Sequence, residues 1–415
     1  MSVLADLLST VFERRLRVGA GTSDDPRDFK ALAEALLGNH GEVSGMAAAR
    51  QFVDRFAARD AAGKLAVFDH MTTGMDIDPA AVRVALAAYE AEPSKASYRA
   101  FIEAAEPKRQ ELIRRLNQAP GATERLVAMR ADLLGALKAR PDLAPLDLDF
   151  RHLFASWFNR GFLVLKPINW DSSARILDKI IAYEAVHAIH SWDDLRRRLK
   201  PADRRCFAFF HPAMPSEPLI FVEVALTKGV PGSIQGVLAE DRDMIAAPDA
   251  DTAVFYSISN CQAGLAGISL GNSLIKQVVE DLSRELPALK TFVTLSPIPG
   301  LTKWLQETGR ADAIADPEAL TRLAAHYLLE EKQGNGAPRD PVARFHLGNG
   351  ALVHAVHAGA DTSANGLAQS GGAMVNYRYD LKRISQNHEA FAAEGKVAAS
   401  PEVRALARAH SKSDA

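Results

Sequence analysis

The sequence predicts an α+β protein with two domains: an N-terminal all-helical bundle over residues 1–145, followed by a mixed sheet domain over residues 146–415. Three observations predict this organisation. The chain of 415 residues is longer than the ~100 to 200 residues of a usual single domain. Helical periodicity fills the first third of the chain, and β-rich runs alternate with helical patterns after Arg151.

The first third shows apolar residues at helical spacing. In its first clear helix, Asp25 is the predicted N-cap, Pro26 suits the first helical position and Gly38 ends the pattern. Similar periodicity recurs without a fixed repeat length, which argues against a solenoid. We therefore predict a bundle that ends at "RPDLAPLDLDF", where two prolines interrupt the helical pattern. Its charges are typical of solvated helix faces, so packing or oligomerisation is the predicted role.

Composition limits the possible partners and compartments. Lysine plus arginine (49) nearly balance aspartate plus glutamate (51), so the net charge of the chain does not predict nucleic-acid or membrane binding. The sequence shows neither a secretory signal nor a transmembrane run of about 18 apolar residues. Its two cysteines, Cys206 and Cys261, are too few for a disulfide framework and match no zinc spacing. We therefore expect a reducing compartment, by default the cytosol.

The second domain contains short runs rich in β-branched residues. These runs are "GFLVLKPI", "LIFVEVALT", "TAVFYSISN", "KTFVTLS" and "ALVHAVHA". Helical patterns lie between them, which favours a mixed sheet. The most informative unit runs from strand to glycine-bearing loop, helix and strand, between Thr252 and Ser296. Asn272 is a predicted cap of this helix, whose free N–H groups would point into the loop and hold an anion such as a diphosphate.

The glycine-bearing loop supports more than one function. It lacks the Walker lysine motif and the dinucleotide fingerprint, and simple turn formation also explains its glycines. Its "GISLG" matches the nucleophile elbow of serine hydrolases, with Ser269 at the centre. That elbow requires a strand running directly into the first glycine, whereas "CQAGLA" intervenes here. A serine hydrolase is therefore the weaker alternative.

Histidines supply a further set of candidates. Glu184, His187 and His190 share a predicted helix face and suggest metal ligation, but no second such motif accompanies them, so a partly buried structural pair is preferred. His346 lies in "DPVARFHLGNGALV", where a short helix that opens near Pro341 is expected to end at a glycine turn. A histidine in this place is fixed by a helix and faces a loop-rich rim, which makes it a candidate catalytic residue.

Four longer motifs point to a family. "YSISNCQAGLAGISLGNSLIKQVV", "LSPIPGLTKW", "FHLGNGA" and "MVNYRYDL", in this order, closely resemble malonyl-CoA decarboxylase, and the resemblance covers nearly all of residues 146–382. It implies a helical oligomerisation domain, in a homodimer or homotetramer, joined to a catalytic domain of the GCN5-related N-acetyltransferase fold. It also implies conversion of malonyl-CoA to acetyl-CoA and carbon dioxide without a metal or redox cofactor.

The resemblance implies particular site residues. The catalytic serine of the family lies in "LSPIPG" and corresponds to Ser296, and its catalytic histidine lies in "FHLxNG" and corresponds to His346. Tyr379, in "NYRYD", is a further candidate to orient His346 or the thioester. In animal members of the family a glutamate replaces Ser269, so this serine is not expected to be an obligatory nucleophile. The loop for the thioester ligand corresponds to Ala266, Gly267, Ile268, Ser269, Leu270, Gly271 and Asn272.

The resemblance also implies how the site works. In acetyltransferase-like sheets, the strands on either side of the loop and helix splay apart, and the acyl thioester lies in the gap. Ser296 is then expected at the open end of the second strand, where a neutral hydroxyl positions the malonyl carboxylate without the over-stabilisation that an arginine would cause. His346 is expected to give the α-carbon a proton. A CoA-dependent acyltransferase, which needs an acceptor amine, is the main alternative.

Overall fold

The computed structural model describes residues 28–38, 42–268, 270–334 and 336–413 of the chain. The chain divides into two compact units. The first contains residues up to 159 together with residues 262–268, and the second contains residues 160–261 together with the chain from 269 onward. The division therefore lies later than residue 145, and it assigns a short part of the glycine-bearing loop to the helical unit.

The described part of the first unit is built from helices. They are α1 (Phe29–Leu37), α2 (Glu42–Ala57), α3 (Ala61–Thr73), α4 (Pro79–Ala91), α5 (Lys95–Ala105), α6 (Lys108–Leu116), α7 (Ala122–Ala136) and α8 (Ala144–Trp157). A 3-10 turn, Pro141–Leu143, leads directly into α8, which holds Pro145 in its first turn. Proline is tolerated there because the first amides of a helix have no intrahelical acceptor. The segment predicted as a break in the helical pattern is therefore itself helical.

Capping determines where α1 begins. The predicted cap, Asp25, lies outside the described residues. The helix begins at Phe29, where the side chain of Asp28 accepts a hydrogen bond from the amide of Ala31 at 2.8 Å. Gly38 follows the last helical residue, as predicted.

The second unit contains an eight-stranded mixed sheet. Its strands are β1 (Val164–Ile168), β2 (Arg204–His211), β3 (Met214–Thr227), β4 (Thr252–Asn260), β5 (Thr291–Thr294), β6 (Ser296–Pro297), β7 (Leu352–His357) and β8 (Met374–Arg378). The strand order is β1-β2-β3-β4-β5-β8-β6, and β7 pairs with β8. Only the β4–β5 pair is parallel among the pairs that the structure describes. A mixed sheet after a helical region confirms the predicted α+β class.

Helices cover the sheet of the second unit. They are α9 (Ala174–Tyr183), α10 (Trp192–Leu199), α11 (Ile234–Leu238), α12 (Gly271–Glu285), α13 (Leu301–Glu307), α14 (Pro317–Leu329), α15 (Pro341–Gly348), α16 (Ala364–Ser370), α17 (Ile384–Glu394) and α18 (Pro401–Ser413). Ile180 of α9 and Leu195 of α10 share a buried cluster with Phe221 of β3. Within the described ranges, no helix has the length and apolar character that a bilayer-spanning segment needs.

The strands β4 and β5 are neighbours over only part of their length. Residues 252–255 pair in parallel with residues 291–294, and one more bond joins the amide of Leu295 to the carbonyl of Phe255 at 3.0 Å. β4 then continues to Asn260 beside β3, whereas the other strand passes into β6 and pairs with β8. A gap therefore opens in the sheet beyond Phe255. This is the splay predicted for the two strands.

Candidate active site

Ser296 lies at the edge of this gap. It is the first residue of β6, its position is fixed by pairing with Val375 of β8, and only 6% of its surface is exposed. Its hydroxyl donates to Oγ1 of Thr294 at 2.8 Å and lies 3.2 Å from Nε2 of His346. The next residue, Pro297, restricts the backbone at this point. The serine hydroxyl is therefore held between two side-chain partners.

His346 reaches the same point from a helix. Its helix, α15, begins after Asp340, whose side chain accepts a hydrogen bond from the amide of Ala343 at 2.8 Å. The imidazole is 2% exposed and stacks on the ring of Tyr377, with the ring centroids 4.5 Å apart. Nδ1 of His346 lies 2.7 Å from the hydroxyl of Tyr379. Helix capping, stacking and this hydrogen bond together hold the imidazole in one orientation.

The structure thus brings together the three predicted catalytic candidates. A hydrogen-bonded chain runs from the Tyr379 hydroxyl through the two ring nitrogens of His346 to the Ser296 hydroxyl. Ser296 and His346 are 50 positions apart in the sequence and His346 and Tyr379 are 33 apart, so this meeting depends on the tertiary fold. The arrangement can hold a substrate oxygen at Ser296 and move a proton at Nε2 of His346.

A cavity of about 240 Å³ opens onto Ser296 and His346. β4 supplies one wall, β6 supplies another, and the first turns of α15 supply a third. Among the described lining residues, none is a lysine, an arginine, an aspartate or a glutamate. A carboxylate that entered here would meet hydroxyl, amide and aromatic groups rather than a charged clamp. The lining residues are Val186, Phe255, Tyr256, Ile258, Asn260, Ser296, Pro297, Pro341, Val342, Phe345 and His346.

Burial sets the protonation states at the site. It lowers the pKa of His346 from 6.5 to about 3, because the charged imidazolium would lose its hydration. Burial also raises the pKa of the Tyr379 hydroxyl well above its usual value. At neutral pH both groups are therefore uncharged in the free protein, and His346 carries one ring proton.

The lowered pKa of His346 predicts a pH-dependent stability. Between about pH 6.5 and pH 3 the unfolded chain protonates this histidine while the folded chain does not, so stability falls as the pH falls. Relative to His346→Asn, the wild-type free energy of unfolding is expected to decrease by about 1.4 kcal/mol per pH unit in this window. Denaturant titrations of both proteins at pH 7, 6 and 5 measure the difference, and groups common to both cancel. A difference that does not change with pH would contradict the lowered pKa.

The division of the chain into two units falls within the predicted thioester loop, after Ile268. Ala266, Gly267 and Ile268 belong to the first unit, where Nη1 of Arg130 donates to the carbonyls of Gly264 and Ala266 at 2.8 and 2.9 Å. The side chain of Arg130 thus fixes the backbone of this part of the loop. The role of the loop in ligand binding stays a prediction.

The remainder of the loop corrects one prediction. Ser269 lies outside the described residues, and α12 begins at Gly271 with Leu270 in the N-cap position. Asn272 is therefore inside the helix and is not its cap. β4 ends at Asn260, and a 3-10 turn, Ala263–Leu265, separates it from the "GISLG" segment. The strand does not run into the first glycine of that segment, as a nucleophile elbow requires.

The histidines near residue 187 are also placed differently from the prediction. α9 ends at Tyr183, so Glu184, His187 and His190 do not share a helix face. The carboxylate of Glu184 accepts hydrogen bonds from the amides of Val186 and His187 at 2.9 and 2.8 Å. Burial lowers the pKa of His187 to about 4, which keeps it neutral. In the parts of the chain that the structure describes, no group of three or more His, Cys, Asp or Glu side chains could hold a metal ion.

Three residues that contact the site were missed by sequence reasoning. Thr294 accepts the Ser296 hydroxyl, Tyr377 stacks on His346, and Asn376 donates through Nδ2 to the carbonyl of Thr294 at 2.8 Å. The sequence contained a spacing signal for two of these three residues. Thr294 and Tyr377 each precede a predicted site residue by two positions, and in an extended strand this spacing places side chains on one face.

Known proteins are similar to this chain in both sequence and fold. The malonyl-CoA decarboxylase C-terminal domain family matches residues 161–319 and 307–415, and the malonyl-CoA decarboxylase N-terminal domain family matches residues 76–158. The curated protein "Malonyl-CoA decarboxylase, mitochondrial" of Anser anser anser is 37% identical over 349 residues, which cover 72% of this chain and 69% of that protein.

Solved structures extend the similarity over nearly the whole chain. Malonyl-CoA decarboxylase from Rhodopseudomonas palustris is 50% identical with a TM-score of 0.86, and the match covers 91% of this chain and 98% of that one. The enzyme of the same name from Agrobacterium vitis is also 50% identical with a TM-score of 0.86, covering 92% and 99% of the two chains.

Proposed function

The chain belongs to the malonyl-CoA decarboxylase family, and on this premise we propose that malonyl-CoA loses carbon dioxide in the cavity between Ser296 and His346 to give acetyl-CoA. This is the reaction of a carboxy-lyase. The observation that carries the proposal is the hydrogen-bonded pair of Ser296 Oγ and His346 Nε2 at one end of an otherwise mostly apolar gap. In this pair, Ser296 supplies the group that holds the leaving carboxylate, and His346 supplies the proton for the α-carbon.

Ser296 positions the malonyl carboxylate. Its hydroxyl is neutral, and apolar side chains of Ile258, Val342 and Phe345 line the space around it. A carboxylate is poorly solvated in such a cavity, whereas carbon dioxide is uncharged, so the environment favours loss of the charge from this end of the substrate. When the substrate binds, the hydroxyl proton of Ser296 turns from Thr294 to the carboxylate, and this hydrogen bond orients the breaking bond. Orientation without strong charge stabilisation keeps the barrier low.

The enolate that remains needs backbone donors. Ser257 lies opposite Glu223 and Phe255 lies opposite Val224, so Tyr256 is the extra residue of a β-bulge in β4. A bulge removes a residue from the regular ladder, which makes its amide available to another partner. Tyr256 also lines the cavity. The bulge is therefore our assignment for the N–H donors that stabilise the thioester oxygen.

His346 completes the reaction by protonation. The bond between the α-carbon and the carboxyl carbon breaks, its electron pair forms the thioester enolate, and carbon dioxide leaves. The enolate α-carbon then takes the proton from Nε2 of His346, which lies beside Ser296. The hydroxyl of Tyr379 holds the other ring nitrogen, so the imidazole keeps its orientation during the transfer. The transfer moves the negative charge of the enolate to His346 as an imidazolate, and a proton from solvent restores the neutral imidazole after the product departs.

The proposed chemistry uses no metal or redox cofactor, because the thioester itself accepts the electron pair. Mass spectrometry of malonyl-CoA incubated with the protein and a chelator tests this directly. Acetyl-CoA and carbon dioxide are expected. Malonate with free CoA would instead indicate a hydrolase. No change with malonyl-CoA alone, together with transfer of the malonyl group to an added amine, would indicate an acyltransferase.

The helical unit is proposed to join copies of this chain in a dimer or tetramer. α4 and α5 have no buried residue, and they expose Val84, Tyr98 and Ile102. Two short helices without a buried face are marginal in water, and exposed apolar side chains on adjacent helices are typical of an interface. Light scattering is expected to give the mass of two or four chains. The mass of a single chain at micromolar concentration would contradict this proposal.

The location of the protein in the cell and its partners other than the substrate stay predictions. The cytosolic location and the lack of nucleic-acid or membrane partners were inferred from composition and charge balance. The printed names of the curated relatives from Anser anser anser and Mus musculus contain the word mitochondrial. Cell fractionation with an antibody to the protein separates the two locations.

A further inference from the structure

We propose that Thr294 is a positioning residue, which in the free protein points the hydroxyl proton of Ser296 away from His346 and so fixes the ring proton of His346 on Nε2 before the substrate binds. The inference rests on the proposed decarboxylation at Ser296 and His346. It explains why the proton is on the nitrogen that faces the cavity. Thr294 does not line that cavity, and it acts through Ser296.

Thr294 lies where the sheet ladder is interrupted. Val293 of β5 is opposite Arg378, and Ser296 of β6 is opposite Val375, so the same register runs across the break between these strands. This register places Thr294 opposite Tyr377. There the amide of Tyr377 donates to the side-chain Oγ1 of Thr294 at 3.1 Å. The threonine hydroxyl therefore replaces a backbone acceptor in the ladder.

The backbone of Thr294 is also fixed. Nδ2 of Asn376 donates to the carbonyl of Thr294 at 2.8 Å. Because the amide nitrogen of Asn376 is the donor, its Oδ1 is an acceptor, and Nε2 of His357 at 2.6 Å must donate to it. Thr294 and Asn376 are both fully buried. These bonds prevent Thr294 from moving away from Ser296.

Two hydrogen bonds to the side chain of Thr294 set the direction of the protons in the free site. The amide of Tyr377 donates to Oγ1 of Thr294, and the hydroxyl of Ser296 donates to the second lone pair of the same oxygen. With its proton used in this way, Oγ of Ser296 offers only lone pairs to His346. Nε2 of His346 is therefore the donor in the 3.2 Å contact with Ser296.

The second nitrogen of His346 then has the opposite role. A neutral imidazole that carries its proton on Nε2 has a lone pair on Nδ1, which accepts from the Tyr379 hydroxyl at 2.7 Å. Tyr379 is able to donate because burial keeps its hydroxyl protonated. The opposite tautomer would present a lone pair to the cavity and would leave no proton there for the α-carbon. Thr294 thus selects the reactive form of His346.

The variant Thr294→Val tests the proposal, because valine keeps the branched shape and removes Oγ1. We expect kcat to fall about tenfold, as for the loss of one hydrogen bond, while KM for malonyl-CoA changes by less than about twofold. In ¹⁵N NMR of the free protein, the His346 signals are expected to change from the Nε2–H tautomer to a mixture. Thr294→Ser restores the acceptor and is expected to recover kcat to within about threefold and the Nε2–H signals.

A purely structural role for Thr294 predicts different results. The matched control is Thr252→Val, since Thr252 is also buried in this sheet and its hydroxyl donates to Asp251 at 2.7 Å, away from the cavity. Its kcat and its His346 signals are expected to equal those of the wild type. Wild-type kcat or unchanged Nε2–H signals in Thr294→Val would overturn the proposal, as would an equal loss of kcat in the control.

Two further measurements keep the test decisive. If Thr294→Val does not fold, Thr294→Cys, with a weak sulfur acceptor, is measured by the same criteria. The NMR signals report on Thr294 without turnover. The two proposals can therefore fail separately. If the wild type makes no acetyl-CoA, the proposed function is contradicted. If Thr294→Val nevertheless loses the Nε2–H signals of His346, the role of Thr294 is supported.

Discussion

His346→Asn is expected to lower kcat for malonyl-CoA by about 10²- to 10³-fold, because the variant lacks the group that protonates the α-carbon. Asparagine is smaller than histidine and retains an N–H donor, so the buried site keeps a polar group of neutral charge. It cannot, however, give a proton from one ring nitrogen to the α-carbon while the other nitrogen is held by Tyr379. Steady-state release of carbon dioxide and formation of acetyl-CoA measure the loss.

The substitution should act on turnover much more than on binding. The CoA portion of the substrate does not depend on proton transfer, so the Kd of acetyl-CoA is expected to change by less than about threefold. His354→Asn is the control, since His354 lies on β7 and does not line the cavity. This variant should keep kcat within about twofold of the wild type. Turnover near the wild-type value in His346→Asn would remove His346 from the proposed mechanism.

Local sequence patterns were sufficient for most of the sheet. The five predicted β-rich runs contain β1, β4, β5 and β7 and the C-terminal nine residues of β3. β2 was missed because it begins with Arg204, whose buried guanidinium is satisfied by the carbonyl of Val237 at 2.6 Å. β8 was missed because its five residues include Asn376, which is buried for its hydrogen bonds. Both strands contain polar residues whose partners lie far away in the sequence, and no local pattern contains that information.

Two helix boundaries, at Pro145 and at Tyr183, differ from the sequence prediction for related reasons. A proline inside a helical pattern can break a helix or begin one, and at Pro145 it lies in the first turn of α8. The helical pattern after Tyr183 does continue in the sequence. The chain leaves the helix there because the carboxylate of Glu184 binds the amides of residues 186 and 187 and the hydroxyl of Ser257 at 2.7 Å. Tertiary hydrogen bonds outweigh helical propensity at this point.

The candidate site also combines residues that sequence motifs predict with residues that only the tertiary structure identifies. Long motifs led to Ser296 and His346, and the splay of β4 and β5 explains how a shared cavity forms between distant segments. Thr294 and Asn376 were not predicted, because their importance depends on the register of β8 across the break between β5 and β6. Which residue of β8 lies opposite Thr294 follows from the pairing of β8 with both β5 and β6, and the sequence around Thr294 does not name that partner.

Ser296→Ala is expected to lower kcat by at least about 10²-fold, with little change in the affinity for acetyl-CoA. Alanine removes the hydroxyl that orients the malonyl carboxylate and leaves Nε2 of His346 without its 3.2 Å partner. The breaking bond then has no fixed direction relative to the thioester, and His346 keeps only its hydrogen bond to Tyr379 among the two described for its ring. Rates of acetyl-CoA formation at saturating malonyl-CoA measure the effect.

A buried serine outside the cavity provides the comparison for this variant. Ser370 is 1% exposed, and its hydroxyl donates to the carbonyls of Gly366 and Ala373 at 3.1 and 2.7 Å. Ser370→Ala should lower stability by about 1 kcal/mol through lost hydrogen bonds and leave kcat nearly unchanged. If Ser296→Ala instead kept normal turnover, or lost no more activity than Ser370→Ala, the carboxylate would have to be positioned by another group that lines the cavity, such as the side chain of Asn260 or the backbone of the β4 bulge.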